Sequence, residues 1–233
     1  MKEVLLLGLV LVILCTILFF LRGDKKEEAV TAPVIRGRGF TDKDAPWDPP
    51  QSVENIITED ECQYIIEKAT PLFARSIVVN DSGIDPSRTS DTAWINKDDP
   101  VARKIFEKAL EFTDKSFENC ENLQVVRYKP GTFYRPHHDS CCDGSQGCIN
   151  FEKDGGQRVA TLLVYLNDDF TDGETHFPNI DLKMKADPGS GIVFFPMGTD
   201  DNRCHPNALH AGLPPSSGVK YLCNAWIREN KFR

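Results

Sequence analysis

Hydrophobic and polar positions along this chain fall into three regimes. Residues 4–21 form an almost unbroken apolar run in which Thr16 is the one clearly polar member. As a helix that run would extend about 27 Å, close to the hydrocarbon thickness of a bilayer. Arg22, Asp24, Lys25 and Lys26 end it sharply, and Phe19-Phe20-Leu21-Arg22 lacks the small residues of a cleavage site. Residues 1–22 therefore read as a transmembrane signal-anchor rather than a cleaved signal peptide. Residues 23–50 carry charges, Pro and Gly with no apolar period, which predicts a flexible tether.

From residue 51 onward the pattern is that of a folded domain. Thr58-Glu59-Asp60-Glu61 is a capping box, and the helix it opens carries Cys62, Ile65, Ile66 and Ala69 before Pro71. Asp98-Asp99-Pro100 opens a second helix, where Val101, Ile105, Ala109 and Phe112 recur at helical spacing. Strand-like pieces lie between them at 77–79 and 92–95. Afterwards β-rich segments dominate, at 124–128, 159–166, 191–195 and 220–227. Helices followed by many strands with Gly/Pro turns predict an α+β domain, its helices on one face of an antiparallel sheet system. No internal repeat is evident.

Composition narrows the class. The chain has 233 residues, enough for one substantial core plus an appendage, and a formal net charge of −8. No Lys- or Arg-rich stripe is present, which argues against a nucleic-acid partner. Of eight cysteines, Cys15 falls in the anchor and seven in the domain, an odd number that leaves at least one thiol unpaired. Cys141, Cys142 and Cys148 are spaced to close a small disulfide loop, or to hold zinc with Cys204 or His205. The spacing lacks the paired CxxC of a structural zinc site, so disulfide ranks first, unpaired thiols second and zinc last. Asn80-Asp81-Ser82 is a possible glycosylation acceptor.

The candidate chemistry lies in YRPHHDS and HAGLPPSSGVKYLCNAW. Read as a strand, the first stretch points His137 and Asp139 to one face and His138 to the other. With His210 they make two imidazoles and a carboxylate, a facial triad suited to non-haem Fe(II) oxygen chemistry. Lys220 shares a strand face with Leu222, Asn224 and Trp226, which marks it as buried and in need of an anion. Pro214-Pro215-Ser216-Ser217-Gly218 reads as a turn that would pair the His210 and Lys220 strands as a hairpin.

VVRYKPGTFYRPHHD, GGQRVATLLVYLNDDFTDGETHFP, PGSGIVFFP and HPNALHAGLPPSSGVKYLCNAWIRE, in that order, resemble the catalytic domain of prolyl 4-hydroxylases, within the 2-oxoglutarate- and Fe(II)-dependent dioxygenases. The match runs from about Leu123 to Glu229 and is nearest the short single-chain forms of plants, algae and large algal viruses. It implies a double-stranded β-helix (jelly-roll) over 51–233, with iron held by His137, Asp139 and His210 at its mouth. The HAG-Leu-Pro context and the ten-residue spacing to Lys220 favour His210 over His205. Lys220 would hold the far carboxylate of 2-oxoglutarate, with hydroxyl help from Tyr128 and Thr161. Tyr134, Arg158 and Trp226 would line a peptide groove.

The implied reaction couples decarboxylation of 2-oxoglutarate by O2 to hydroxylation of peptidyl proline at its fourth carbon. Succinate and CO2 leave, and ascorbate maintains the iron. The implied partners are proline-rich or collagen-like chains; another residue such as lysine, a small molecule, or binding without turnover are the alternatives on this scaffold. Arg22, Lys25 and Lys26 against Lys2 pull the domain toward the cytosol, but the family pulls it toward the lumen of the endoplasmic reticulum, and the lumenal orientation is the one expected. Asp172-Gly173-Glu174-Thr175 departs from the family's Gly-Gly-Glu-Thr; if Asp172 takes a glycine's positive φ, aspartate tolerates it. The 141–154 insertion beside the site would alter which peptides fit.

Overall fold

In the computed structural model, residues 39–76, 86–200 and 203–232 are described. The expected anchor, the strand at 77–79 and the acceptor at Asn80 lie outside them. Among the described residues no helix is long and apolar enough to cross a membrane.

In chain order the domain runs β1 (Gln51–Val53), α1 (Glu59–Ala69), β2 (Ala74–Arg75), β3 (Asp91–Ile95), α2 (Pro100–Leu110), β4 (Leu123–Tyr128), β5 (Tyr134–His137) and α3 (Gln146–Lys153). It continues with β6 (Arg158–Tyr165), β7 (Phe170–Asp172), β8 (Thr175–Phe177), β9 (Leu182–Met184), β10 (Gly191–Phe194), β11 (His210–Gly212), β12 (Pro215–Gly218) and β13 (Lys220–Arg228). Seven strands form one antiparallel sheet in the order β1-β10-β6-β13-β4-β3-β2. Four more form a second, β5-β11-β8-β9, and β12 pairs with β7. This β-rich architecture, with its few helices, is consistent with the expected jelly-roll core.

Both helices start as their sequences dictate. Thr58 caps α1, with its Oγ1 accepting from the Glu61 amide at 3.2 Å and the Glu61 carboxylate accepting from the Thr58 amide at 3.0 Å. Asp99 caps α2 through bonds from Val101 and Ala102. Their apolar faces, including Ile65, Ile105 and Phe106, pack on one face of the large sheet against Val125, Leu162, Val164, Cys223, Ala225 and Ile227. The alternate residues of those same strands, Val126, Tyr128, Leu163, Tyr165 and Leu222, build a second core with Phe177, Ile192 and Phe194. β6 reads as a continuous apolar run because both of its faces are covered.

Two expectations are corrected. The stretch 39–50, expected as tether, packs on the domain from Gly39 onward. Cys204 exchanges backbone hydrogen bonds with Gly39 and Thr41, and the Trp47 indole donates to the Phe195 carbonyl at 2.7 Å. Two aromatic residues, Phe40 and Trp47, supply contacts that a period count does not register. The His210 and Lys220 strands are not a hairpin: β11 pairs with β5 and β8, β13 with β4 and β6. The segment read as their turn is itself strand β12, which carries the chain from one sheet to the other. The 141–154 insertion holds a helix, α3, capped by Ser145.

Candidate metal centre

His137 and His210 are direct cross-strand partners of β5 and β11, which brings two distant imidazoles together, 4.3 Å between ring centroids. Each ring donates Nδ1–H to a backbone carbonyl, His137 to Arg135 at 2.9 Å and His210 to Ala208 at 3.1 Å. A carbonyl can only accept, so a proton sits on each Nδ1, and in the neutral ring the Nε2 lone pair is the one left for a metal. Both Nε2 atoms lie 3.7 Å from Asp139 Oδ1. Tyr134 stacks on His137 at 3.5 Å, and Phe194 tilts against His210 at 4.6 Å, fixing both rings.

Asp139 arrives by a different route from the one its spacing predicts. β5 ends at His137, so strand alternation stops before Asp139. A bend brings the carboxylate in, and two donors orient it: Thr161 Oγ1 at 2.7 Å and Trp226 Nε1 at 3.0 Å, both to Oδ2. Oδ1 is left facing the imidazoles. Burial pushes the Asp139 pKa up, but the adjacent His210 and His137, Arg158 and the Thr161 bond outweigh it and hold the group well below the usual carboxylate range. Burial, reinforced by His210, drives His137 well below its ordinary value, so the ring is neutral as a ligand must be.

One ligand atom each from His137, Asp139 and His210 lie within 4.8 Å of one another. Two imidazoles and one carboxylate, with Nε2 and Oδ1 convergent, fit a divalent cation that keeps open positions. Cys141, Asp143 and Cys148 also cluster, but their two sulfurs are bonded to each other. The disulfide expectation is met by Cys141–Cys148; a second disulfide, Cys142–Cys204, takes the sulfur that the zinc alternative required. Cys62, Cys120 and Cys223 are buried free thiols.

His138 is corrected in detail. It does not turn to solvent: it lines the cavity, its ring meets Phe40 edge-on at 5.0 Å, and its buried Nδ1 has no partner among the described residues. Burial, with His210 nearby, lowers its pKa to about 4. His205 stands apart, stacked on Trp47 at 5.0 Å.

A cavity of about 470 Å³ opens over the triad. Tyr134, Arg158 and Trp226 line it, joined by Arg88, Trp94, Gln124, Phe151 and Thr175, which sequence reasoning missed. Gln124 shares the inward face of β4 with Val126 and Tyr128, a signal the alternation contained; nothing local marks Arg88. The Arg158 guanidinium lies 3.3 Å from the Trp226 ring and forks onto Glu121 at 2.7 and 2.9 Å. Trp94, 48% exposed, tilts against Trp226 at the rim.

Lys220 is fully buried, 0% exposed, on the inward face of β13 opposite Tyr128. Its Nζ donates to the Gly173 carbonyl at 2.6 Å and lies about 5 Å from the Tyr128 and Tyr165 rings (5.1 and 5.0 Å). No carboxylate is within ion-pair reach among the described residues. Burial therefore lowers its pKa to about 7, with Glu174 opposing and Lys185 adding to the fall. An ammonium has three donors and Gly173 takes one. Lys220 and Thr161 are not among the residues that line the cavity, whereas Tyr128 and Thr175 are. Thr161 bonds Asp139, a placement at odds with the expected one beside Lys220. Asp172 does adopt a glycine-like φ of 58°, next to Gly173 at 76°.

Residues 123–228 match the family model of the 2OG-Fe(II) oxygenase superfamily. A protein of Acanthamoeba polyphaga mimivirus, named as a prolyl 4-hydroxylase, is 43% identical over 194 residues, covering 83% of this chain and 79% of that one. Prolyl 4-hydroxylase 1 of Arabidopsis thaliana is 32% identical over 204 residues, covering 78% of this chain and 70% of that one. Among solved structures, the viral collagen prolyl hydroxylase of Paramecium bursaria Chlorella virus-1, in complex with 2-oxoglutarate, superposes with a TM-score of 0.60 at 32% identity. That likeness covers 78% of this chain and 96% of the other.

Proposed function

Since the chain belongs to the prolyl 4-hydroxylase family of the 2OG-Fe(II) oxygenase superfamily, we propose that it hydroxylates peptidyl proline in proline-rich or collagen-like chains, with His137, Asp139 and His210 as its iron ligands. The convergence of two Nε2 atoms and one carboxylate oxygen in the floor of an aromatic-walled cavity is the observation that carries this assignment. Bound Fe(II), with 2-oxoglutarate and O2, supplies the oxidising chemistry that turns a C–H bond into C–OH, releasing succinate and CO2.

The chain's own residues bind, orient and exclude. Lys220, a buried cation without a carboxylate, is the group to receive the distal carboxylate of 2-oxoglutarate, through the donors Gly173 leaves free. Tyr128 lines the cavity, and its ring lies 5.1 Å from that amine. Thr161 and Trp226 hold Asp139 so that one oxygen remains for the metal. Tyr134, Trp94 and Trp226 offer the flat apolar faces that suit a proline ring and keep water from the reacting carbon. Ascorbate would serve as in the family, to return oxidised iron to the ferrous state.

Residues 4–21 would tether this domain to a membrane, a reading carried by their unbroken apolar run. Two disulfides favour an oxidising compartment, the lumen of the endoplasmic reticulum, over the cytosol.

Turnover against a panel of collagen-like and other proline-rich peptides, with Fe(II), ascorbate and 2-oxoglutarate, tests the assignment. Succinate should form in step with 4-hydroxyproline, and both should vanish in His137→Ala. Oxygen gained on lysine, or peptide binding without succinate, would overturn the proposed substrate or the proposed catalysis.

A further inference from the structure

We infer that the Cys142–Cys204 disulfide is a positioning element of the metal site, holding the loop that bears Asp139 against the segment that leads to His210. This rests on the ligand assignment above. The place of the disulfide in the chain carries the inference. Cys142 follows Asp139 by three residues, and Cys204 precedes His210 by six. Backbone pairing between β5 and β11 reaches His137 and goes no further toward Asp139.

The two ends of the bridge are held in different ways. Around Cys142 the chain is fastened by side chains: Ser140 Oγ donates to the Arg158 carbonyl at 2.6 Å, and the Gln157 amide spans the backbone of Cys141 at 2.8 and 2.6 Å. Cys204 is fastened by its backbone, whose N–H donates to Gly39 at 3.1 Å and whose carbonyl accepts from Thr41 at 2.9 Å. Its side chain is 0% exposed and packs with Met197. The bridge thus ties a side-chain-held bend to a backbone-held anchor. It spans 62 residues and links the two stretches that must converge on one ion. Cys141–Cys148 spans only 7 residues and closes onto α3, within one of those stretches. It is a control built into the same loop.

The dependence is on redox state. Reduction by a dithiol breaks the S–S bond, adds a hydrogen to each sulfur, and closes the dithiol to its own disulfide, two electrons passing in all. With the bridge open, Asp139 keeps its bonds to Thr161 and Trp226 but loses the covalent link to the His210 stretch. Metal affinity should fall while the 2-oxoglutarate anchor, on β13 in the other sheet, is untouched.

The test is Mn(II) titration of the full chain, read from loss of the free-ion electron paramagnetic resonance signal, alongside thermal unfolding. Cys142→Ser/Cys204→Ser should bind Mn(II) about tenfold more weakly or worse; Cys141→Ser/Cys148→Ser should bind it as the native protein does. In case the first variant does not fold, native protein is partly reduced with dithiothreitol, alkylated, freed of reductant and titrated, with the modified cysteines mapped by mass spectrometry. Affinity that falls with the fraction of Cys142 and Cys204 alkylated, and returns when an unalkylated sample is reoxidised, supports the inference. Unchanged affinity, or affinity that follows Cys141 and Cys148, overturns it. Native protein that binds no Mn(II) refutes the ligand assignment itself, before the disulfide is in question.

Discussion

Trp226 donates its indole N–H to Asp139 Oδ2 across 3.0 Å, tying the candidate metal carboxylate to the strand whose far end carries Lys220. Thr161, the cross-strand partner of Trp226, donates to the same oxygen at 2.7 Å. With Oδ2 doubly occupied, Oδ1 is the atom presented to a cation. Thr161→Val removes one donor and keeps the shape. It should weaken Mn(II) binding by about tenfold and leave the KM for 2-oxoglutarate near its native value. The opposite split, native metal affinity with a raised KM, would return Thr161 to the keto acid, where the family resemblance had put it.

Lys220→Met separates binding from folding. The folded protein without ligands disfavours the buried ammonium, whose pKa falls from 10.5 to about 7. An apolar replacement of similar length should therefore raise the unfolding midpoint of the ligand-free protein at pH 6, where the native amine is charged. The same change should weaken 2-oxoglutarate binding by about a hundredfold. Calorimetry on both proteins, for unfolding and for ligand binding in the presence of Mn(II), checks the two signs together.

The pH dependence of 2-oxoglutarate affinity follows from the same group. Below pH 7 the empty site already holds a charged amine, so affinity is flat. Above it, binding must draw a proton onto Lys220, because the arriving carboxylate raises its pKa. The dissociation constant should then climb, by up to about tenfold per pH unit, until the pKa of the occupied site is reached. An affinity that does not change between pH 6 and 9 would place the distal carboxylate elsewhere.

Adjacent histidines with different fates give a fourth check. His137 presents Nε2 to Asp139, whereas His138, among the described residues, has a buried Nδ1 with no partner and belongs to no metal-ready group. His138→Ala should retain Mn(II) affinity, and His137→Ala or His210→Ala should abolish it. Titration of the three variants settles which imidazole is a ligand.

Much of this was legible in the chain because it is local. Capping boxes, helix faces and the apolar strands depend on residues within a turn or two of each other, and Thr58, Asp99 and β6 behave as their neighbours dictate. The burial of Lys220 was legible from period-two alternation along β13. What escaped depends on contacts across the fold. Asp139 was assigned inward by alternation, yet the strand ends before it and a bend does the work. Cys204 meets Cys142 from 62 residues away, and Thr161 meets Asp139 because β6 lies beside β13. Phe40 and Trp47 sit in a stretch whose composition reads as linker, and their contacts, with the backbone bonds of Gly39 and Thr41 to Cys204, hold it on the domain.

The most direct measurement is anomalous diffraction from crystals grown with Mn(II) and 2-oxoglutarate. The account predicts a single strong peak bounded by His137 Nε2, Asp139 Oδ1 and His210 Nε2, with the distal carboxylate of the keto acid on Lys220 Nζ. Metal density away from those three atoms, or a keto acid whose far end is held by another cation, would contradict it.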